Sequence, residues 1–118
     1  MGVDPYNQDC GAKAADYGRD TFAHLMAPVL QWHDAHANSL PIALTEWGAP
    51  ELPGDPNARA DWLNGVAVYA KHHPAIQMMV YWDGGGHTFS GCDFSIPSGT
   101  TSFAAFKAIG LDPYFEGS

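Results

Sequence analysis

The chain has 118 residues, 46% of them hydrophobic, which is enough for one ordinary domain with a hydrophobic core. Thirteen acidic residues against five basic residues give a net charge of −8, which repels phosphate backbones and anionic lipid headgroups. We therefore expect no nucleic-acid partner. No hydrophobic run reaches the ~18 residues that cross a bilayer, so we also expect no membrane partner, and the first residues lack the pattern of a signal peptide.

In chain order, the first half predicts one strand end, two helical segments and one strand. Residues 2–7 are typical of the carboxyl end of a strand whose apolar body would lie upstream, so the chain is expected to begin inside a fold. Residues 20–26 predict a capped helical turn, and Pro28 is expected to break it and start a second helix over 28–37. Residues 40–48 form a short apolar run closed by glycine, which predicts a buried strand.

The second half repeats the alternation of helix and strand. Asp55 and Pro56 predict the start of an amphipathic helix that ends before Pro74. Residues 76–83 predict a second buried strand, and residues 100–110 predict a last helix with a threonine cap. Such alternation is typical of a parallel sheet in an α/β fold, buried on both faces, and we expect residues 1–118 to form one domain.

Polar and aromatic side chains stand at the predicted strand ends. Because the carboxyl ends of parallel strands converge on one face, these side chains are candidates for a common site. Six of them belong to the three strand ends: Tyr6, Asn7, Glu46, Trp47, Trp82 and Asp83.

The segment around Glu46 resembles a known family. Residues 41–48, with the sequence PIALTEWG, resemble the seventh-strand nucleophile segment of clan A glycoside hydrolases. Residues 2–7 (GVDPYN) look like the sixth strand, and residues 80–83 (VYWD) look like the eighth. The order of elements is similar to that of mannanase-like family 26 proteins. The resemblance covers the whole chain and implies about strands 6–8 of a (β/α)₈ TIM barrel, so that 1–118 would be a partial barrel domain whose N-terminal half is missing.

The resemblance also implies a function and roles for individual residues. It implies an extracellular, endo-acting enzyme that hydrolyses O-glycosidic bonds of a β-linked polysaccharide, mannan-like or glucan-like, with retention of configuration. Glu46 would be the catalytic nucleophile, Tyr6 would hydrogen-bond to it, and Trp82 would stack on a sugar ring. It implies no cofactor. Four further residues are possible contacts to the polysaccharide or oligosaccharide substrate: Asn7, Trp47, Asp83 and His87.

Two other functions and the state of the two cysteines also have to be considered. The family's acid/base glutamate has no counterpart in this sequence, so the isolated chain is expected to be inactive, and it could instead be a non-catalytic carbohydrate-binding pseudoenzyme. A metal-dependent hydrolase is disfavoured, because no acidic ligand matches the spacing of the six histidines. Cys10 and Cys92 are either two free thiols or one disulfide, depending on whether the protein is exported.

Overall fold

Three strands alternate with three helices in a computed structural model that describes residues 1–85 and 91–116. The elements are β1 (Gly2–Val3), α1 (Phe22–His36), β2 (Ile42–Trp47), α2 (Ala58–His72), β3 (Ile76–Tyr81) and α3 (Thr101–Gly110). A short 3-10 helix at Gly11–Asp16, which was not predicted, lies between β1 and α1. Within the described ranges, no helix is both long and apolar enough to cross a membrane.

The strands form one parallel sheet in the order β1-β2-β3, so the predicted α/β class is confirmed. The helices pack against one face of this sheet, and the core joins strand residues such as Leu44 to helix residues such as Met26 and Val66. Connections between parallel strands are right-handed, and here each one leads to the next strand in the same direction across the sheet. The helices therefore lie on the same side of the sheet. The prediction of a sheet buried on both faces is therefore wrong, since Met78 and Val80 on the other face are 48% and 47% exposed.

The prediction that the chain forms strands 6–8 of a (β/α)₈ TIM barrel is also wrong. The structure is a small α/β fold built on an open three-stranded sheet. Its radius of gyration is 14.1 Å, close to the ~13.5 Å expected for a compact domain of this length. Alternation of strand and helix is common to α/β folds in general, so the pattern predicts the class without distinguishing one architecture from another.

Helix α1 is continuous, and the predicted break at Pro28 is wrong. Proline has no N–H, so an interior proline removes one helix hydrogen bond and costs about 3 kcal/mol. Burial on both sides of Pro28 offsets this cost, because Met26 is fully buried and His33 is 2% exposed. The hydroxyl oxygen of Thr21 accepts a hydrogen bond from the backbone N–H of His24 and so caps the first turn.

A β-bulge interrupts β2 beside Glu46. Leu44 pairs with Met79 and Trp47 pairs with Tyr81, so two residues of β2 oppose one residue of β3. The extra residue shifts the inward-facing position from Glu46 to Trp47, which is 2% exposed. Glu46 was expected to continue the two-residue period of the buried strand residues before it. The bulge breaks that period and leaves Glu46 half-buried at the strand end.

Candidate functional site

Tyr6 and Glu46 meet at the carboxyl ends of β1 and β2. The Tyr6 hydroxyl donates a hydrogen bond of 2.7 Å to Oε2 of Glu46, which is the contact that the resemblance implied. A bridge between Tyr6 and Gly48 extends the pairing of the two strands to this point and places the ring. Burial, followed by the hydrogen bond to Glu46, raises the pKa of Tyr6 above its ordinary value of 10.0. Tyr6 therefore remains a donor at neutral pH.

Tyr6 packs in an aromatic cluster with Phe94 and Tyr81. The rings of Tyr6 and Phe94 lie 5.1 Å apart, and the Tyr81 hydroxyl donates to the backbone carbonyl of Phe94 at 2.7 Å. Gly48 makes room for the cluster, because a Cβ there would lie 3.1 Å from the Phe94 ring and 3.6 Å from those of Tyr6 and Tyr81. Burial raises the pKa of Tyr81 to about 12, so this phenol also keeps its proton.

Trp82 lies just past β3 and presents its indole to solvent. It is 44% exposed, and its backbone N–H donates to the carbonyl of Trp47 at 2.9 Å. The indole lies directly against Gly84, where an added Cβ would come within 2.7 Å of Cε2 of Trp82. A glycine at this position thus permits the observed orientation of the ring. The exposed indole has the form of a stacking surface for a sugar ring.

Asn7 is fully buried and is used by the protein itself. Its amide nitrogen donates to the backbone carbonyls of Tyr17 at 3.5 Å and Asp20 at 3.4 Å, and its side-chain oxygen accepts from the N–H of Asp9 at 2.9 Å. These contacts hold the segment that follows β1. The structure does not bring Asn7 to an open surface beside Glu46, so we do not retain it as a substrate contact.

Trp47 is likewise part of the core. Its ring stacks on Trp62 at 6.2 Å and meets Tyr81 edge-on at 5.0 Å, with only 2% of the residue exposed. Its indole N–H is buried, and within the described part of the chain it has no hydrogen-bond partner. The bulge in β2 causes this inward orientation. Trp47 therefore packs the fold and is not retained as a substrate contact.

The remaining two predicted contacts lie after β3. Asp83 is exposed, and its Oδ1 accepts a hydrogen bond of 2.8 Å from the backbone N–H of Ile96. One carboxylate oxygen of Asp83 is thus engaged in shaping the loop. His87 lies outside the described residues.

A disulfide joins Cys10 to Cys92, with their Cα atoms 5.8 Å apart. It connects the segment after β1 to the segment after β3, so the two outer strands of the sheet are cross-linked at the end that carries Tyr6 and Glu46. The sequence left this pairing open. Phe94 follows two residues after the bridge, in a loop rich in glycine and serine where no periodic pattern marks a buried residue. Sequence reasoning missed its contact with Tyr6 for that reason.

Other candidate features lie away from this pair. A cleft of about 570 Å³ opens between β3 and α3 and is lined by residues such as Met79, Phe106 and Ile109. Glu46 does not line it. Across 1–85 and 91–116, no group of three or more His, Cys, Asp or Glu side chains is placed to hold a metal ion.

Comparison with known proteins adds no assignment to this geometry. No family model, no curated protein and no solved structure matches the chain.

Proposed function

We propose that this protein acts on O-glycosidic bonds of a β-linked polysaccharide, mannan-like or glucan-like, by a retaining mechanism in which Glu46 is the nucleophile. One observation carries the proposal: the hydrogen bond of 2.7 Å from the Tyr6 hydroxyl to Oε2 of Glu46, at the carboxyl ends of two parallel strands. A nucleophilic carboxylate held by a neighbouring donor is a common arrangement for covalent catalysis. The resemblance of residues 41–48 to a nucleophile segment supports the same role.

The hydrogen bond makes the two carboxylate oxygens of Glu46 different. Tyr6 occupies Oε2, and no described residue donates to Oε1. In the proposed first step, Oε1 attacks the anomeric carbon, the bond from that carbon to the glycosidic oxygen breaks, and a glycosyl ester of Glu46 forms. Water then attacks the same carbon, restores the carboxylate and releases the sugar with its original configuration. The hydrogen bond from Tyr6 holds the Glu46 carboxylate in position for the attack.

Departure of the leaving group requires a proton. In retaining enzymes a second carboxyl group, ~5–5.5 Å from the nucleophile, donates it. The sequence contains no segment similar to the family's acid/base strand, so we assign no proton donor. We therefore expect the chain by itself to be inactive on unactivated polysaccharide, and to react through Glu46 only when the leaving group needs no proton.

Trp82 supplies the binding surface in this proposal. An exposed indole stacks on the apolar face of a pyranose ring, which is flat in β-linked chains with equatorial substituents. The disulfide supports an extracellular location, because such bonds persist in oxidising compartments. Neither feature requires a cofactor.

The nucleophile can be tested with a substrate that needs no acid. The protein is incubated with 2-deoxy-2-fluoro-β-mannosyl fluoride or its glucosyl counterpart, and its peptides are mapped by mass spectrometry. We expect the sugar on the peptide that contains Glu46, no label on the Glu46→Gln protein, and labelling in a folded Asp83→Asn control. A sugar attached to Asp83 would show that the nucleophile is at the end of β3, and that its assignment to Glu46 is wrong.

A second candidate function is carbohydrate binding without catalysis. The 44% exposure of Trp82 favours it, because an aromatic platform binds sugars whether or not a nucleophile is active. This alternative predicts that manno- or gluco-oligosaccharides bind with Trp82 required, while neither fluoride labels Glu46. Labelling of Glu46 would exclude it.

A further inference from the structure

We propose that Phe94 is a positioning residue, which holds the Tyr6 phenol at the angle where it donates to Glu46. The proposal rests on the function proposed above, in which Glu46 is the nucleophile. Phe94 acts only through Tyr6, and no part in the chemical step is assigned to it.

The contact between the two rings is the first argument. Phe94 is 2% exposed, and its ring meets that of Tyr6 at a centroid distance of 5.1 Å and an interplanar angle of 58°. Gly48 lies next to both rings, and a Cβ at this position would lie 3.1 Å from the Phe94 ring. A buried ring in this position limits rotation of the Tyr6 side chain, because interiors leave few voids for movement.

Phe94 is itself held firmly, which a positioning residue requires. Its backbone N–H donates to the carbonyl of Gly84 at 3.0 Å, and its carbonyl accepts from the Tyr81 hydroxyl at 2.7 Å. The disulfide to Cys10 lies two residues before it, at Cys92. The ends of the two outer strands, β1 and β3, thus contribute to the placement of Phe94 in an otherwise irregular loop.

The role makes a physical prediction that does not depend on a substrate. Burial is the largest cause of the raised pKa of Tyr6, ahead of the hydrogen bond to Glu46. Removing the Phe94 ring admits water beside the phenol and loosens its hydrogen bond. Tyr6 should then ionise at a lower pH than in the wild-type protein.

The test uses Phe94→Ala, with Phe22→Ala as the matched control. Phe22 is also 2% exposed, but it packs on Trp62 and Tyr69, within the core. Tyrosine labelled with ¹³C at the hydroxyl-bearing carbon is titrated by NMR, and the Tyr6 signal is assigned by its loss in Tyr6→Phe. We expect Phe94→Ala, but not Phe22→Ala, to lower the pH at which Tyr6 ionises.

Labelling by the glycosyl fluoride supplies the second readout. We expect Phe94→Ala to slow it by about tenfold or more at saturating reagent, with a smaller effect on half-saturation, and Phe94→Leu to restore part of the rate. If Phe94→Ala does not fold, Phe94→Leu and Phe94→Met take its place in both measurements. An unchanged Tyr6 titration in a folded variant would overturn the positioning role. Absence of labelling in the wild-type protein would instead overturn the proposed function and leave the titration to decide the role of Phe94.

Discussion

The carboxylate of Glu46 has two inequivalent oxygens, because the hydroxyl of Tyr6 donates to only one of them. A hydrogen bond to a charged group contributes about 1.5–3 kcal/mol, roughly twice what a neutral pair gives. The pKa of Tyr6 is also raised, so its hydroxyl keeps its proton at neutral pH and remains a hydrogen-bond donor. At the scale of single residues, the candidate site depends on this one donor.

Replacement of Tyr6 by Phe removes that donor and keeps the ring. We expect labelling of Glu46 by the glycosyl fluoride to slow by about 10- to 100-fold, in proportion to the energy of the lost bond. Tyr17→Phe is the control, because it removes a buried hydroxyl that donates to the Pro50 carbonyl at 3.0 Å, away from Glu46. Equal rates for the two variants, measured by intact mass over time, would show that Tyr6 does not assist Glu46.

A substitution at Gly84 tests the role of the Trp82 indole without replacing the tryptophan itself. Gly84→Ala places a methyl group against the Trp82 ring and forces it to move. We expect oligosaccharide binding, measured by calorimetry, to weaken about tenfold. Gly65→Ala lies in α2 with open space around it, so it should leave binding unchanged and stabilise the helix by about 0.5–1 kcal/mol. If Gly84→Ala binds oligosaccharide with wild-type affinity, then binding does not depend on the orientation of the Trp82 ring.

Individual elements show what the sequence could predict and what it could not. The cap at Thr100 and the helix that follows are confirmed, because a hydroxyl that accepts from the N–H of Phe103 depends only on local chemistry. The bulge beside Glu46 was missed, since it depends on the register of β2 against β3. For the same reason Trp47, which was predicted as a possible substrate contact, lies in the core. The register between two strands depends on residues far apart in sequence, so no short stretch of sequence predicts it.

The contact between Tyr6 and Glu46 was predictable only through the resemblance, which ordered the strand ends. Phe94 was missed because its partner lies 88 residues away in sequence and its loop has no repeating pattern. The barrel was predicted wrongly from the same resemblance, since three parallel strands are compatible with several architectures. Local order was therefore more predictable than tertiary arrangement.

His33 connects α1 to the segment before β2 and introduces a pH dependence. Its Nε2 lies 2.7 Å from the Leu40 carbonyl and its Nδ1 lies 3.1 Å from Asp34, and these two contacts raise its pKa above 6.5. A raised folded-state pKa means that the stabilisation is complete below about pH 6.5 and is lost as the pH rises through the folded value.

Unfolding by urea between pH 5.5 and 8.5 checks this dependence. We expect the wild-type free energy of unfolding to fall across the upper part of that range, and His33→Ala to be less stable at low pH with a flatter profile. His36→Ala is the control, because His36 lies on the same helix and is exposed. A His33→Ala profile parallel to that of the wild type would assign the dependence to other groups.

The molecule as a whole combines a covalent cross-link with an uncovered sheet face. The disulfide spans 82 residues, and closing a loop of that length stabilises the folded state by about 4.5 kcal/mol in the chain-entropy model. That is a large fraction of the net stability of a small domain, which is typically about 5–15 kcal/mol. The bond between Cys10 and Cys92 thus compensates for a core built on only one face of the sheet.

Loss of the disulfide should therefore be severe. We expect the Cys10→Ser, Cys92→Ser double variant to lose up to about 4.5 kcal/mol in the free energy of unfolding, measured with denaturant. Intact mass of the wild-type protein with and without reductant should differ by about 2 Da, the two hydrogens of one bridge. Equal stability of the two proteins would show that the cross-link is dispensable.

The uncovered face should cause self-association. Met78 and Val80 expose apolar surface on the outer side of β3, next to an open strand edge, and such surfaces tend to be covered by another chain. We expect the molecular mass from light scattering to increase with concentration, and Met78→Lys, Val80→Lys to reduce it. Val68→Lys on α2, where Val68 is 58% exposed, is the control. A monomer at every concentration would contradict this.

The disulfide also makes the stretch from residue 10 to residue 92 a closed covalent ring, with β1 and α3 as tails outside it. Tyr6 lies on the short tail, four residues from the ring, whereas Glu46 lies within it. A protease that cuts once between the two cysteines therefore releases no fragment until a reductant is added. A nicked molecule keeps Tyr6 covalently tethered to the part of the chain that carries Glu46, so a single proteolytic cut within the ring does not release either residue of the site.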